Sequence, residues 1–347
     1  MLAALLSEIV LRKDYLQGEP LETIYIGGGT PSLLDTTDFN LLFETINSNF
    51  KIAPGAEVTI EANPDDITDE KLAGWKKAGI NRLSIGIQSF FDEDLTWMNR
   101  AHNAKDAHNS LRSAITYFDN ITIDLIYGTP LLTNEKWKEN INKAFTYGIP
   151  HVSCYALTVE KKTPLYKMIR EERTENVDAD KQSDQFLLLM QWMEAKGYEH
   201  YEISNFAKPG LRSRHNSSYW QRKKYLGIGP SAHSFDGVSR QWNVSNNNTY
   251  LDSLKKGMIS FEKETLTEVQ QLNEYIMTSL RTMEGLDLGL AGDVAGKELR
   301  TGSLRFIHGE LMVLEKEHLK LTRKGKLLAD GIAADLFFTS SQNLLNK

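Results

Sequence analysis

The chain has 347 residues, of which 40 are Lys or Arg and 46 are Asp or Glu, so its formal net charge is -6. This acidic balance argues against a general nucleic-acid-binding protein, because phosphate contacts require clustered basic charge. The single cysteine, Cys154, excludes an internal disulfide and any site built from several thiolates of this chain. We therefore expect a cytoplasmic location, where thiols stay reduced. Residues 2–16 carry an apolar stripe that predicts a helix, and no apolar run is long enough to span a membrane.

Short β-rich runs alternate with helix-patterned segments over the first 205 residues. The predicted strands lie at residues 23–26, 58–62, 82–88, 121–126, 151–157 and 198–203. The predicted helices between them lie at residues 39–50, 70–78, 106–118, 136–145 and 179–195. A repeated order of strand, helix and strand is typical of parallel βα units, so the sequence predicts an α/β sheet or barrel.

The remainder of the chain has a different character. Residues 204–248 are rich in Asn, Ser, Gly and Arg with few periodic runs, which predicts long functional loops. From residue 265 the pattern is helical, and it closes with a short β-rich run at 318–322 and a helix over 323–337. The sequence therefore predicts an α-rich C-terminal domain, and a winged-helix-like arrangement is compatible with this order of elements. It has no dense basic recognition helix, so we expect no nucleic acid as a partner.

Three predicted strands carry a polar residue near the carboxyl end of an otherwise apolar run, namely Glu61, Gln88 and Asp124. Ligands of parallel α/β folds lie at these strand ends. A buried carboxylate costs several kcal/mol unless it is paired or liganded. A structural carboxylate is the alternative for any one of them, but three corresponding positions favour a shared site.

A glycine turn follows the first predicted strand, where Gly27, Gly28 and Gly29 precede Thr30. It matches neither a P-loop nor the G-x-G-x-x-G spacing, and a tight turn is its alternative explanation. Successive glycines allow a close backbone approach to a small polar group. Backbone carbonyls with Glu61 suit an ammonium, and Arg100 suits a carboxylate. Gln88 and Asp124 suit ribose hydroxyls, and these three groups together describe S-adenosylmethionine.

Ordered motifs over nearly the whole chain carry a family resemblance. They lie at residues 24–32, 61–64, 82–90, 123–130, 226–235 and 321–325. With them the chain resembles the radical S-adenosylmethionine superfamily. Within it, the chain is most similar to the oxygen-independent coproporphyrinogen III oxidase-like family and its HemW-type haem-chaperone branch.

The resemblance implies a partial (β/α)6 barrel with S-adenosylmethionine at its strand ends. It implies that the methionine amino group is held by Gly28, Gly29, Thr30 and Glu61. It implies that Arg100 binds the carboxylate, Gln88 and Asp124 the ribose, and the backbone near Tyr155 and Ala156 the adenine. The implied organisation is a partial barrel over residues 1–205, a motif-bearing loop region over 206–255 and an α-rich C-terminal domain over 256–347.

A second motif, H-N-x-x-Y-W, begins at His215 and contains Tyr219 and Trp220. The resemblance associates it with haem binding. Imidazole is a good axial ligand of iron, and Tyr and Trp can stack on a porphyrin. Arg212 and Arg214 suit its propionates. The alternative is that His215 bonds only within a loop.

One departure from the family pattern concerns the iron–sulfur cluster. Members carry C-x-x-x-C-x-x-C before the glycine turn, and this sequence has no such motif. We expect that a preceding segment of about 30 residues holds the first strand and the cluster loop. The alternative is a degenerate member without a cluster.

The predicted function is therefore a haem-binding chaperone that delivers haem to an unidentified acceptor protein. In its complete form it would use a [4Fe–4S] cluster and S-adenosylmethionine, and it would meet a membrane only through the acceptor. The alternative is an oxygen-independent coproporphyrinogen III oxidase.

Overall fold

The structure is a computed structural model that describes residues 1–339. Two compact units share the chain. The first unit combines Met1–Ile24, Asp35–Glu57 and the part of the chain from Arg214 onward. The second unit combines Tyr25–Leu34 and Val58–Ser213. The chain passes between them four times, and two of these passages lie within strands β1 and β2.

A seven-stranded sheet contains all of the predicted strands. Its members are β1 (Leu21–Ile26), β2 (Ile52–Ala62), β3 (Arg82–Gln88), β4 (Ile121–Tyr127), β5 (His151–Ala156), β6 (Glu199–Glu202) and β7 (Asn205–Ala207). The spatial order is β1-β2-β3-β4-β5-β7-β6. The pairs from β2 to β5 are parallel, whereas β7 is antiparallel to both β5 and β6. Consecutive parallel strands bring their carboxyl ends to one edge, which is where the candidate polar residues lie.

The helices follow the predicted amphipathic stretches. The α-helices of the described residues are α1 (Leu2–Leu11), α2 (Thr36–Asn49), α3 (Asp69–Lys77), α4 (Asp92–Trp97), α5 (Ala104–Tyr117), α6 (Asn134–Thr146), α7 (Pro164–Arg170), α8 (Ala179–Ala195), α9 (Arg214–Trp220), α10 (Asn247–Lys255), α11 (Glu268–Leu280), α12 (Asp293–His308), α13 (Arg323–Lys326) and α14 (Ala329–Asp335). Side chains of Asp35 and Asn103 form capping boxes at α2 and α5, which satisfy backbone donors at each helix start. In the described part of the chain no helix combines the length and apolar character needed to cross a membrane.

The first unit contains two small antiparallel sheets. One joins β8 (His233–Phe235), β9 (Ser239–Asn243) and β10 (Phe261–Thr265), and the other joins β11 (Leu286–Asp287), β12 (Met312–Glu315) and β13 (His318–Leu321). Helices α11 and α12 with the β12–β13 hairpin are compatible with the winged-helix-like arrangement considered for the C-terminal region. Strand β13 lies in the predicted β-rich run, whereas β12 was not predicted. The helix predicted over 323–337 is divided into α13 and α14, and the last eight residues of the predicted C-terminal domain lie outside the described part.

Candidate functional site

A polar pocket of about 190 Å³ lies at the carboxyl ends of β2, β3 and β4, within the second unit. We call it the strand-end pocket. Of the residues predicted for S-adenosylmethionine, its wall includes Gly29, Thr30, Glu61, Gln88, Arg100 and Asp124. Its volume is below the roughly 300–1,000 Å³ of most small-molecule sites, so it suits the polar part of such a ligand rather than the whole.

Glu61 connects β2 to the glycine turn. One carboxylate oxygen accepts a hydrogen bond from the Tyr25 hydroxyl at 2.7 Å, and the other accepts from the Gly28 N–H at 3.0 Å. Gly28 and Gly29 have φ of 75° and 63°, a left-handed conformation that glycine adopts without strain. A Cβ atom at either position would meet no neighbour within 4 Å, so this part of the turn is open to a ligand.

Arg100 supplies the positive charge of the strand-end pocket. Its Nη2 donates to Asn63 Oδ1 at 3.2 Å, while its Nε is buried without a hydrogen-bond partner. A buried donor that is left unpaired costs free energy, and an anionic ligand nearby would offset that cost electrostatically. The arginine is therefore suited to an anionic group of a ligand.

Asp124 lies on β4 opposite Ser153 of β5, whose hydroxyl donates to Asn205 at 2.9 Å. Burial raises the pKa of the Asp124 carboxyl from 3.8 to about 7, and the negative charge of Glu61 raises this pKa further. The neighbouring Ser153 hydroxyl and the positive charges of Arg82 and Arg100 act in the opposite direction and lower this pKa. This carboxyl group consequently changes its charge near neutral pH.

Three of the predicted residues, Gly28, Tyr155 and Ala156, are not part of the pocket wall, and some of the residues that contribute to the pocket were not predicted. Tyr155 and Ala156 end β5, are both exposed and do not line the strand-end pocket. Asn63 and Ser84 do line it, and Tyr25 bonds to Glu61. Ser84 lies four residues before Gln88 on β3, so the two-residue period of a strand was a signal for its position.

The H-N-x-x-Y-W motif forms α9, within the first unit. The Nδ1 atom of His215 is 2.9 Å from the Thr23 hydroxyl oxygen. The two oxygens of Glu57, a buried residue of β2, accept hydrogen bonds from the backbone N–H groups of Arg214 and His215 at 3.1 and 2.9 Å. Burial lowers the pKa of His215 to about 4, although the Glu57 charge opposes this, so the imidazole is neutral near pH 7.

The aromatic residues of the motif differ in their surroundings. Tyr219 is exposed and meets the His215 ring edge to face, with ring centroids 5.0 Å apart. The Trp220 ring instead lies 5.3 Å from the guanidinium of Arg281, and its Nε1 is buried without a hydrogen-bond partner. The motif is therefore helical rather than a loop, with His215 and Tyr219 one turn apart on the same side.

The two arginines proposed for haem propionates are engaged elsewhere in their own units. Arg212 pairs with Glu199 at 2.9 Å, and Arg214 Nη1 donates to the Gly55 carbonyl at 2.7 Å. A cavity of about 700 Å³ begins directly after α9, where Gln221 and Arg222 form part of its wall. The first unit thus provides a cavity of ligand size beside the motif helix.

Comparison with known proteins shows the family of this chain. The model of the radical SAM superfamily matches residues 5–144. The protein named heme chaperone HemW from Bacillus subtilis is 35% identical over 323 residues, which cover 91% of this chain and 85% of that protein. The chain belongs to the HemW family.

A second HemW-family relative agrees with this assignment, and one solved structure shares the fold. Heme chaperone HemW from Mycobacterium tuberculosis is 34% identical over 96% of this chain and 85% of its own length. Coproporphyrinogen III oxidase (HemN) from Escherichia coli, a radical SAM enzyme, has a TM-score of 0.81 at 22% identity and covers 97% of this chain and 82% of its own. At that identity the likeness concerns the fold, and it confirms the predicted partial barrel.

Radical SAM membership implies S-adenosylmethionine and a [4Fe–4S] cluster, and the two fit the described residues differently. The strand-end pocket has polar groups of the kinds that S-adenosylmethionine needs. The cluster does not fit, because no group of three His, Cys, Asp or Glu side chains within residues 1–339 could hold a metal ion. The one thiol, Cys154, is buried, and burial raises its pKa well above the ordinary value.

Proposed function

We propose that this chain is a haem chaperone that binds haem at the motif helix α9 and passes it to an acceptor protein. The observation that carries this proposal is the similarity to HemW proteins over most of the chain, at 35% and 34% identity. The acceptor is a protein of unspecified class, and any association with a membrane would be through it. The cytoplasmic location remains a prediction from the single cysteine.

The local chemistry of α9 supports haem as the ligand. A neutral imidazole is the form of histidine that coordinates iron, and burial keeps His215 neutral near pH 7. The exposed ring of Tyr219 lies beside it, which offers an aromatic surface to a porphyrin. The cavity after α9 is also large enough for a ligand of this class.

We further propose that the strand-end pocket holds the polar part of S-adenosylmethionine. In this assignment Gly28, Gly29, Thr30 and Glu61 receive the ammonium, Arg100 receives the carboxylate, and Gln88 with Asp124 receives the ribose. The open glycine turn and the unpartnered Nε of Arg100 support it. The contact of the adenine with the backbone at Tyr155 and Ala156 is proposed only from the family resemblance.

A haem titration tests the proposed function directly. Wild-type protein, His215→Ala and the control His308→Ala are each titrated with ferric haem while the Soret band is recorded. His308 is an exposed histidine at the end of α12, so its loss tests for adventitious binding by surface imidazole. We expect saturable binding with a shifted Soret band for the wild type and His308→Ala, and a weakening of at least tenfold for His215→Ala. Equal spectra for His215→Ala and the wild type would contradict the haem site.

The oxidase alternative receives less support. Its solved representative, HemN, is 22% identical to this chain, which supports a shared fold alone. The test is product analysis after incubation with coproporphyrinogen III. Formation of protoporphyrinogen would favour the oxidase over the haem chaperone.

A further inference from the structure

We propose that Thr23 and Glu57 are positioning residues that hold the His215 ring so that it binds haem iron through Nε2. The inference rests on the proposed haem-binding function and adds the residues that orient its ligand. Both residues belong to the same compact unit as α9. Thr23 acts on the ring of the histidine, and Glu57 acts on its backbone.

Thr23 contacts the ring nitrogen of His215 that does not coordinate iron in the proposed arrangement. A neutral imidazole carries one proton, and only the unprotonated nitrogen can bind a metal. The Thr23 hydroxyl lies 2.9 Å from Nδ1, within hydrogen-bond distance in either tautomer, and it accepts from Nδ1–H in the tautomer that binds a metal through Nε2. With the proton at Nδ1, the lone pair for iron is at Nε2. Metal-binding histidines are commonly fixed in this way by a partner on the second ring nitrogen, which also raises the basicity of the first.

Glu57 fixes the start of the motif helix. A helix of seven residues is too short to be stable by itself, so α9 depends on its surroundings. The buried carboxylate of Glu57 accepts from two successive N–H groups, those of Arg214 and His215. A carboxylate at this position stabilises the helix start, because its negative charge strengthens the bonds to the N–H groups and interacts favourably with the helix dipole. The Ser218 hydroxyl donates to the His215 carbonyl at 2.7 Å, so the backbone of the histidine is held on both sides.

These contacts come from two neighbouring strands. Thr23 belongs to β1 and Glu57 to β2, and these strands lie side by side in the sheet. The ring and the backbone of His215 are thus held by two strands of the sheet rather than by a loop. A preset ligand does not need to be ordered when haem arrives, which favours binding.

The experiment compares Thr23→Val with Thr23→Ser. Valine has nearly the shape of threonine but no hydroxyl, whereas serine retains the hydroxyl. Ferric haem is titrated into each full chain, and both the Kd and the Soret maximum at saturation are measured. We expect Thr23→Val to bind about tenfold more weakly with a displaced Soret maximum, and Thr23→Ser to restore the wild-type spectrum. A residue with only a structural role would change the folded fraction and leave the spectrum of the bound haem unchanged.

A second pair of variants, Glu57→Gln and Glu44→Gln, tests the backbone contact. It also keeps the proposal testable if Thr23→Val does not fold. Glu57→Gln retains one acceptor oxygen but directs an amide group at the other N–H, so weaker haem binding is expected. Glu44→Gln, at an exposed position of α2, is the matched control. If His215→Ala loses haem while Thr23→Val and Glu57→Gln bind as the wild type does, the positioning roles are wrong and the proposed function stands. If the wild type itself shows no His215-dependent binding, both are wrong.

Discussion

At the scale of single residues, charge in the strand-end pocket is set by burial as much as by neighbouring charges. Asp124 has a pKa of about 7 because its ionised form is poorly solvated, and Glu61 adds repulsion. Glu61 itself is held by Tyr25 and the Gly28 N–H. Asp124 is therefore a carboxyl group of the strand-end pocket whose charge responds to pH near neutrality.

The raised pKa of Asp124 predicts a particular dependence of stability on pH. Between the ordinary carboxyl pKa of 3.8 and about 7, the native state keeps a proton that the unfolded state has lost. The free energy of unfolding therefore falls as pH rises through this window, by about 3 kcal/mol from pH 5 to pH 8. Urea unfolding of the wild type and Asp124→Asn at four pH values checks this. The difference between the two proteins should decline with pH, and a constant difference would show that the pKa is not raised.

Sequence reasoning identified the pocket residues that interrupt apolar strands but not their partners. Glu61, Gln88 and Asp124 were conspicuous because each is polar within a β-rich run. Tyr25 looked like an ordinary strand residue, and only the folded sheet brings its hydroxyl to Glu61. A single sequence does not indicate which of several strand hydroxyls faces a distant carboxylate.

At the scale of elements, one buried carboxylate links the loops that follow β3 and β4. Asp94, at 1% exposure, accepts from the Ser89 hydroxyl at 2.9 Å and from the Thr129 hydroxyl at 3.3 Å. Ser89 directly follows Gln88, whose φ of 63° is unusual for a residue with a side chain. The link therefore fixes the backbone on one side of the strand-end pocket.

Loss of the Asp94 carboxylate should destabilise this part of the fold. Asp94→Ala leaves two hydroxyls without their acceptor, so we expect the free energy of unfolding to fall by about 2–4 kcal/mol. The neighbouring Glu93→Ala is the control, because Glu93 is exposed and makes only a surface ion pair with Lys136 at 3.4 Å. Urea unfolding of both variants gives the comparison. Equal midpoints would mean that the link contributes nothing to stability.

The boundaries of elements were predictable where local pattern decides them. Strands β3 and β4 match their predicted ranges within a residue, because each is a short β-rich run bounded by residues typical of turns. The start of β2 at Ile52 was missed, since Pro54 and Gly55 read as a turn. The region predicted as long loops instead contains α9, β8 and β9. Helix α9 has a polar sequence of low helix propensity, and it depends on the distant Glu57, which no local pattern indicates.

At the scale of the whole molecule, the first unit is assembled from segments that are far apart in sequence. Glu8 of α1 is fully buried and accepts from the Gly229 N–H, the Asn243 side chain and the Tyr250 hydroxyl, at 2.8, 2.6 and 2.6 Å. Arg12 lies on the same helix and also bonds to Asn243, at 3.2 Å. The first turns of the chain are therefore part of the same polar network as residues more than 200 positions later.

This network predicts that Glu8 is needed for the cooperative folding of the first unit. Glu8→Ala removes the acceptor of three buried donors and the ion-pair partner of Arg12, which lies 3.7 Å from Glu8. We therefore expect the free energy of unfolding to fall by roughly 3–5 kcal/mol. Glu19→Ala, at an exposed position, should leave stability nearly unchanged. Hydrogen exchange followed by mass spectrometry locates the effect. We expect faster exchange in residues 1–24, in 35–57 and from 214 onward together, because these segments form one compact unit. Faster exchange confined to α1 would contradict this prediction, because it would mean that the rest of the first unit is stable without the contacts of Glu8.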